Sequence, residues 1–320
     1  MSLAVPQSEV DQIVRGLHIA VIARYLGAAG LVALLYDHAL TLSDEIRLIW
    51  TAPRSFAKWM FLVNRYLSEV CLVAVANEMF GFNHRPYTEK TYDFNLIRVV
   101  CVYGVFATFT NNLVAFLRVV VLWDKSPRIS LVLSIIMILS FLATITCTTI
   151  SIIFLSPFIR YSDLARTCYF TKTGPSYIAL WAAPMGFELS VIFLVAYDAL
   201  SRPRIVDRPL VRTLYRDGML FFLAVWLLRM TNLAFAVVTE PGLIALPIFF
   251  SWGMVSLAIN RMLIHIRSSE ERSQRDDNED NDDDDDAVAS SVNFWGQVES
   301  AHGGSIGTQT PIELRTHWTK

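Results

Sequence analysis

The chain has 320 residues, of which 54% are hydrophobic and only 18% charged, with a mean hydropathy of +0.43. An ordinary soluble chain carries about a quarter charged residues, so a soluble enzyme, a disulfide-dense secreted module and a nucleic-acid binder are all disfavoured. Charge is unevenly shared: residues 270–286 hold 11 of the 29 acids and 2 of the 27 basic residues, leaving 25 basic against 18 acidic elsewhere and a net +7 on the apolar body.

In chain order, residues 1–19 carry Glu9, Asp11 and Arg15 and lack the apolar core of a cleavable signal. They are expected to form a short extracytoplasmic N-terminus, with the first span acting as its own insertion signal. A helix crossing the hydrocarbon needs about 20 mostly apolar residues, because its backbone must satisfy its own hydrogen bonds. Seven stretches qualify: about 20–42, 58–79, 97–122, 129–155, 176–199, 215–239 and 243–264. The fourth runs from Ile129 to Leu155 without a formal charge, between Pro127 and Pro157. Only Glu240, Pro241 and Gly242 separate the last two, which reads as a tight helical hairpin. The runs lack the two-residue alternation of barrel strands. An all-α integral membrane bundle of seven transmembrane helices over residues 20–266 is therefore expected.

Direction follows from the basic residues flanking the spans. With the N-terminus outside, the inner segments hold 13 Lys and Arg and the outer ones 6. That predicts the receptor-like arrangement, N-terminus outside and C-terminus inside. Beyond Arg267 the acids Asp276, Asp277, Glu279, Asp280 and the run Asp282 to Asp286 repel one another and bury nothing. Residues 267–320 are thus expected to be a disordered acidic cytoplasmic tail. No Asn-x-Ser/Thr sequon occurs in the chain.

A charge at membrane depth costs roughly 2.5–3.5 kcal/mol on insertion scales, so it should face the bundle and find a partner. The second span contains Asn64, Arg65 and Glu69; Arg65 and Glu69 lie one helical turn apart and can pair. Asp37, near the inner end of the first span, sits at about the depth of Arg65, roughly 8–11 Å below the boundary. An Asp37–Arg65 contact is open, in competition with Glu69. Deeper down, Glu188 in the fifth span and Arg229 in the sixth are nearly level, about 18 and 15 Å from their outer ends, and could form a buried ion pair. Asn111, Asn112 and Asn232 fall at similar depth. Together these residues could line a polar cavity near the bilayer centre or act only as interhelical locks.

Cys71 and Cys147 fall inside spans and read as small apolar side chains. Cys101 begins the third span and Cys168 lies in the next outer loop, so a Cys101–Cys168 disulfide is expected to pin that loop over the bundle mouth. The arginine-rich loop Arg202–Arg216 would rest on anionic headgroups or dock a cytoplasmic partner. Several chemistries are missing. No lysine lies between Lys172 and Lys320 to form a retinal Schiff base in the last span, and the six histidines are scattered. No Gly-x-Ser-x-Gly elbow, His-Glu-x-x-His helix or phosphate-cradling glycine loop occurs. The third span reads Phe116-Leu117-Arg118 with no acid before the arginine, and the seventh has no Asn-Pro-x-x-Tyr. No enzyme activity and no cofactor are expected.

Residues 25–67 carry Leu34-Leu35-Tyr36-Asp37-His38, Leu40-Thr41-Leu42, Asp44-Glu45, Ile49-Trp50 and Leu62-Val63-Asn64-Arg65-Tyr66. This stretch resembles an uncharacterised domain of unknown function that opens many basidiomycete membrane proteins. Leu117-Arg118 and Leu214-Tyr215-Arg216-Asp217-Gly218 extend the resemblance, which covers roughly 20–265. It implies a seven-span fungal membrane protein, supplies no substrate, and singles out Asp37, Asn64, Arg65 and Asp217. The expected function is receptor-like sensing of a small or lipidic ligand between helices, with Asp37, Arg65 and Glu69 as an inner latch. A transporter or channel is the alternative, and a structural or lipid-organising protein the second. The lipid bilayer is the expected partner; plasma membrane and endomembrane are not distinguished.

Overall fold

The computed structural model describes residues 7–53, 55–79, 89–123, 126–162, 167–170, 174–201, 209–237 and 246–280. Seven long helices make the bundle: α1 (Gln7–Glu45), α2 (Phe56–Met79), α3 (Glu89–Leu122), α4 (Pro127–Leu155), α5 (Pro175–Ser201), α6 (Pro209–Val237) and α7 (Ile248–Asp280). Each contains a stretch long and apolar enough to cross a membrane, from Val14–Trp50 in the first to Ile248–Ser269 in the last. The chain is an integral, multi-pass membrane protein.

Its surface makes the same point physically. Large apolar side chains lie outside, such as Val102 (71% exposed), Ile153 (70%) and Phe193 (67%), while Arg65 and Glu45 are buried to within 1%. Water would reward the opposite distribution; lipid rewards this one. The hydroxyls of α4 show how such a helix keeps its polar atoms satisfied. Thr144 and Thr148 donate to the carbonyls of Ser140 and Thr144, one turn back, at 2.8 and 2.7 Å. Ser140 reaches across to the Ala183 carbonyl on α5 at 3.1 Å.

α7 is the hub, packing on α1, α2 and α6. It meets α1 at a crossing with no room for side chains: a Cβ placed on Gly253 would lie 2.7 Å from the Gly30 carbonyl oxygen. Backbones approach that closely only where both helices present glycine. One core cluster joins Phe61, Leu117, Val255, Ile259 and Met262 from α2, α3 and α7. A second joins Val119, Leu133, Phe187 and Val191 from α3, α4 and α5.

Three features depart from the sequence reading. α1 continues beyond residue 42 to Glu45, then through a π-helical turn, Ile46–Trp50; Leu48 and Ile49 are buried there, which gives the extension its apolar anchor. α7 begins at Ile248 rather than near 243, its first turn closed by the Ser251 amide donating to the Pro247 carbonyl at 2.9 Å; the Glu240-Pro241-Gly242 turn lies outside the described residues. The segment 267–280, expected to be part of the disordered tail, is helical. Its basic and acidic residues alternate at helical spacing, as in Arg267–Glu271 and Glu271–Arg275, which supports a solvated helix. The rest of the acidic tail, 281–320, lies outside the described residues.

Between α4 and α5 a 3-10 turn (Ser156–Phe158) leads into a two-stranded antiparallel ribbon, β1 (Ile159–Ser162) and β2 (Thr167–Phe170), with Tyr161 opposite Cys168. Among the described residues Cys101 of α3 has no disulfide partner, and the expected Cys101–Cys168 bond falls on a side chain, that of Cys168, outside them.

Candidate functional site

Two polar assemblies interrupt the apolar interior. The first occupies the end of the bundle where α1 finishes and α2 begins. Asp37, Thr41 and Glu45 recur every four residues, so they share one face of α1. Arg65, Tyr66 and Glu69 face them from α2. The Arg65 guanidinium holds Glu45 through Nε to Oε2 at 2.9 Å, and its Nη2 donates to Thr41 Oγ1 at 2.7 Å and to the His38 carbonyl at 3.3 Å. The other Glu45 oxygen accepts from the Tyr66 hydroxyl at 2.9 Å and from the Trp50 indole N–H at 3.0 Å. The π-helical turn delivers that indole: it brings Trp50 back over Glu45, five residues earlier.

His38 lies between two carboxylates, with Nδ1 2.5 Å from Glu69 Oε1 and Nε2 3.8 Å from Glu45 Oε2. The Tyr66 ring meets it edge-on, with ring centroids 5.5 Å apart. Asp37, buried, pairs with Arg261 of α7, whose side chain is half exposed. Asn64, the residue before Arg65, donates from Nδ2 to Asn260 Oδ1 at 3.1 Å, tying α2 to α7 as well. Thus Asp37, Arg65 and Glu69 do gather at one end, but with partners other than the expected ones. Arg65 pairs with Glu45, Asp37 with Arg261, and Glu69 with His38.

The second assembly lies in the middle of the bundle. Arg229 of α6 pairs with Glu188 of α5, Nε to Oε1 at 2.5 Å, and its Nη1 reaches Thr108 of α3 at 3.4 Å. The expected Glu188–Arg229 pair is present and buried. A cavity lies on each side of it. One is polar, lined by Asn64, Ser68, Asn111, Arg229, Asn232 and Ser256. The other is apolar apart from Asn111 and Glu188, with Val191, Phe221, Ala258 and Met262 in its wall. Each offers about 20 Å³ to the centre of a water molecule, room for one or two waters. Among the described residues, Asn111 Oδ1, Asn232 Oδ1, Ser256 Oγ and Glu188 Oε2 in these walls find no hydrogen-bond partner. Buried polar atoms of this kind are normally hydrated. Asn112 is buried one residue further along α3, its Oδ1 likewise without a protein partner.

Sequence reasoning missed Glu45, His38, Trp50, Asn260 and Arg261 as members of the network. The helical spacing of residues 37, 41 and 45 was a usable signal; the fall in hydropathy after residue 42 concealed it. Arg202 to Arg208 lie outside the described residues, and the side chains of Arg212, Arg216 and Asp217 are not described, so the arginine loop and Asp217 have no described contacts.

A family of unknown function (DUF6533) matches residues 25–68. The matched segment spans the second half of α1, the π-helical turn and the first half of α2, and holds Asp37, His38, Thr41, Glu45, Trp50, Arg65 and Tyr66. The end cluster, apart from Glu69 and Arg261, therefore lies within the matched segment. No curated protein matches the chain.

Proposed function

We propose that this chain is a receptor-like membrane protein, N-terminus outside and C-terminus inside, that senses a small or lipidic ligand between α3, α5, α6 and α7. The observation that carries the reading is the Glu188–Arg229 pair, with a cavity bearing several polar side chains on one side and an apolar cavity on the other. An amphipathic molecule could seat a polar group against the pair and an apolar body beside Phe221 and Met262. In the present conformation the two spaces are too small for an organic molecule. Ligand entry therefore requires α5 and α6 to separate at that pair, and this converts binding into helix movement. A ligand shifts the two conformations only by its differential affinity for them, and a competing polar group on Arg229 supplies that difference.

The test is native mass spectrometry of the full chain extracted in mild detergent, wild type beside Arg229→Met. The reading expects a small or lipidic molecule retained by the wild type and lost from a variant of equal melting temperature. Retention of the same mass by both sinks it, and a sharply lower melting temperature marks the pair as a structural lock. A transporter or channel is the second reading, favoured by the polar residues that continue from the mid-bundle cavity through Asn64 and Asn260 to the end cluster. Conductance, or uphill accumulation of a solute, in reconstituted vesicles would support it. A lipid-organising role follows if neutralising Glu188 and Arg229 changes neither phenotype nor bound mass.

A further inference from the structure

The two mid-bundle cavities are stacked. α3 lines the polar one with residues 103–111 and the apolar one with 111–115. α7 follows the same order, with 251–256 and then 258–262, while α6, running the other way, gives 229–232 and 221–225. The chambers meet at Asn111, which has a face in both. Among the described residues the apolar chamber has two polar side chains in its wall, Asn111 and Glu188. Each carries an oxygen without a hydrogen-bond partner, Oδ1 and Oε2 respectively. Glu188 is 7% exposed, and its other oxygen is held by Arg229 at 2.5 Å. Arg229 itself lines only the polar chamber, so the apolar one presents a carboxylate oxygen with no guanidinium beside it in the wall.

From this arrangement we infer that the head group taken at the join of the two chambers is a primary ammonium on an apolar chain, bound by Glu188 Oε2 and Asn111 Oδ1. The inference rests on the ligand-sensing reading above and names the ligand's class. A carboxylate or phosphate head would meet the Glu188 oxygen with no donor in the wall to offset the repulsion. A trimethylammonium head has the charge but no N–H to give. A primary ammonium donates up to three hydrogens, as a lysine does, and its bonds to a carboxylate are of the strong, charge-assisted kind. It is also close in size to the water molecule for which the space has room. The ammonium competes with Arg229 for Glu188, and the polar chamber offers the displaced guanidinium a second seat. Arg229 already reaches Thr108 Oγ1 there at 3.4 Å, and Asn232 Oδ1 and Ser256 Oγ stand in the same wall without hydrogen-bond partners. The Asn232 amide is oriented by its Nδ2 donating to the Leu228 carbonyl at 3.2 Å, which leaves Oδ1 to accept. Acceptors on both sides of the pair thus meet the added positive charge, and binding moves Arg229 from the first seat to the second.

The experiment is the melting temperature of the full-length protein in phosphatidylcholine nanodiscs at about pH 7, with octylamine, octyltrimethylammonium or octanoate at equal concentrations. An alkylamine is protonated there, as a lysine is. The expected result is a saturable rise of about 2–4 °C with octylamine, a smaller one with octyltrimethylammonium and none with octanoate. Glu188→Gln should abolish the octylamine rise. If that variant fails to fold, Asn111→Leu serves, since it leaves the ion pair intact and replaces an unpartnered buried oxygen by an apolar group of similar shape. It should raise the half-saturating octylamine concentration about tenfold or more, the weight of one hydrogen bond to a charged group. No rise with octylamine overturns the inference, as does an equal rise with octanoate or an octylamine response unchanged in the variant. Adding phosphatidylethanolamine to the nanodiscs separates two sources of the same head group. A weakened octylamine response assigns it to a lipid and an unchanged one to a free amine, and either supports the class. If the wild type retains a mass that Arg229→Met loses while octanoate outranks octylamine here, the class is wrong and the ligand-sensing reading stands. If no mass is retained, that reading falls by its own test.

Discussion

Glu45 keeps no exposed surface, yet it meets the guanidinium of Arg65, the hydroxyl of Tyr66 and the indole N–H of Trp50. A buried carboxylate so surrounded gains little by comparison with an apolar residue of its size, but removing one partner leaves the other charge stranded. Arg65→Met should therefore cost about 3–5 kcal/mol, read as a lower unfolding midpoint in detergent. The double change with Glu45→Met should recover most of that loss; fully additive losses would mean that the two are not coupled. Trp50→Phe removes one donor from the carboxylate and leaves the guanidinium and the Tyr66 hydroxyl in place, so it should cost less, about 1.5–3 kcal/mol. Arg65 and Asp37 were legible in the sequence as charges that needed partners. Which partner each takes was not, because Asp37 and Glu45 share one face of α1 and Glu69 lies one turn along α2, and the offset of α1 along α2 decides among them.

Among the elements, α1 and α7 are held by close backbone contact. Gly253→Val would drive a branched side chain into the Gly30 backbone, and overpacking of this kind costs about 1–3 kcal/mol. Gly186 in α5 is the control: a Cβ there meets nothing within 4 Å, so Gly186→Ala should leave stability unchanged or raise it by about 0.5–1 kcal/mol. Unfolding midpoints of the two variants beside the wild type check both. Helix existence was readable from hydropathy, and α4 most clearly, since it carries no charge from Ile129 to Leu155. Helix ends were less so. The π-helical turn that delivers Trp50 to Glu45 has no sequence signature, and the helical segment 267–280 was hidden by its charge, which signals disorder when counted and a solvated helix when spaced.

At the scale of the whole molecule, an outside N-terminus and inside C-terminus should appear as an N-terminal epitope accessible on intact cells and a C-terminal one accessible only after permeabilisation. The reverse pattern would place the end cluster on the outer side. Composition and hydropathy by themselves determined membrane residence, the seven spans and the need for buried charges to pair, since these depend only on the cost of placing polar groups in hydrocarbon. The tertiary structure alone decided that Arg65 belongs to Glu45 and Asp37 to Arg261, and that His38 sits between two acids. Those choices turn on the offset of α1 along α2 and on the Gly30–Gly253 approach, which bring together residues as distant in the chain as 37 and 261.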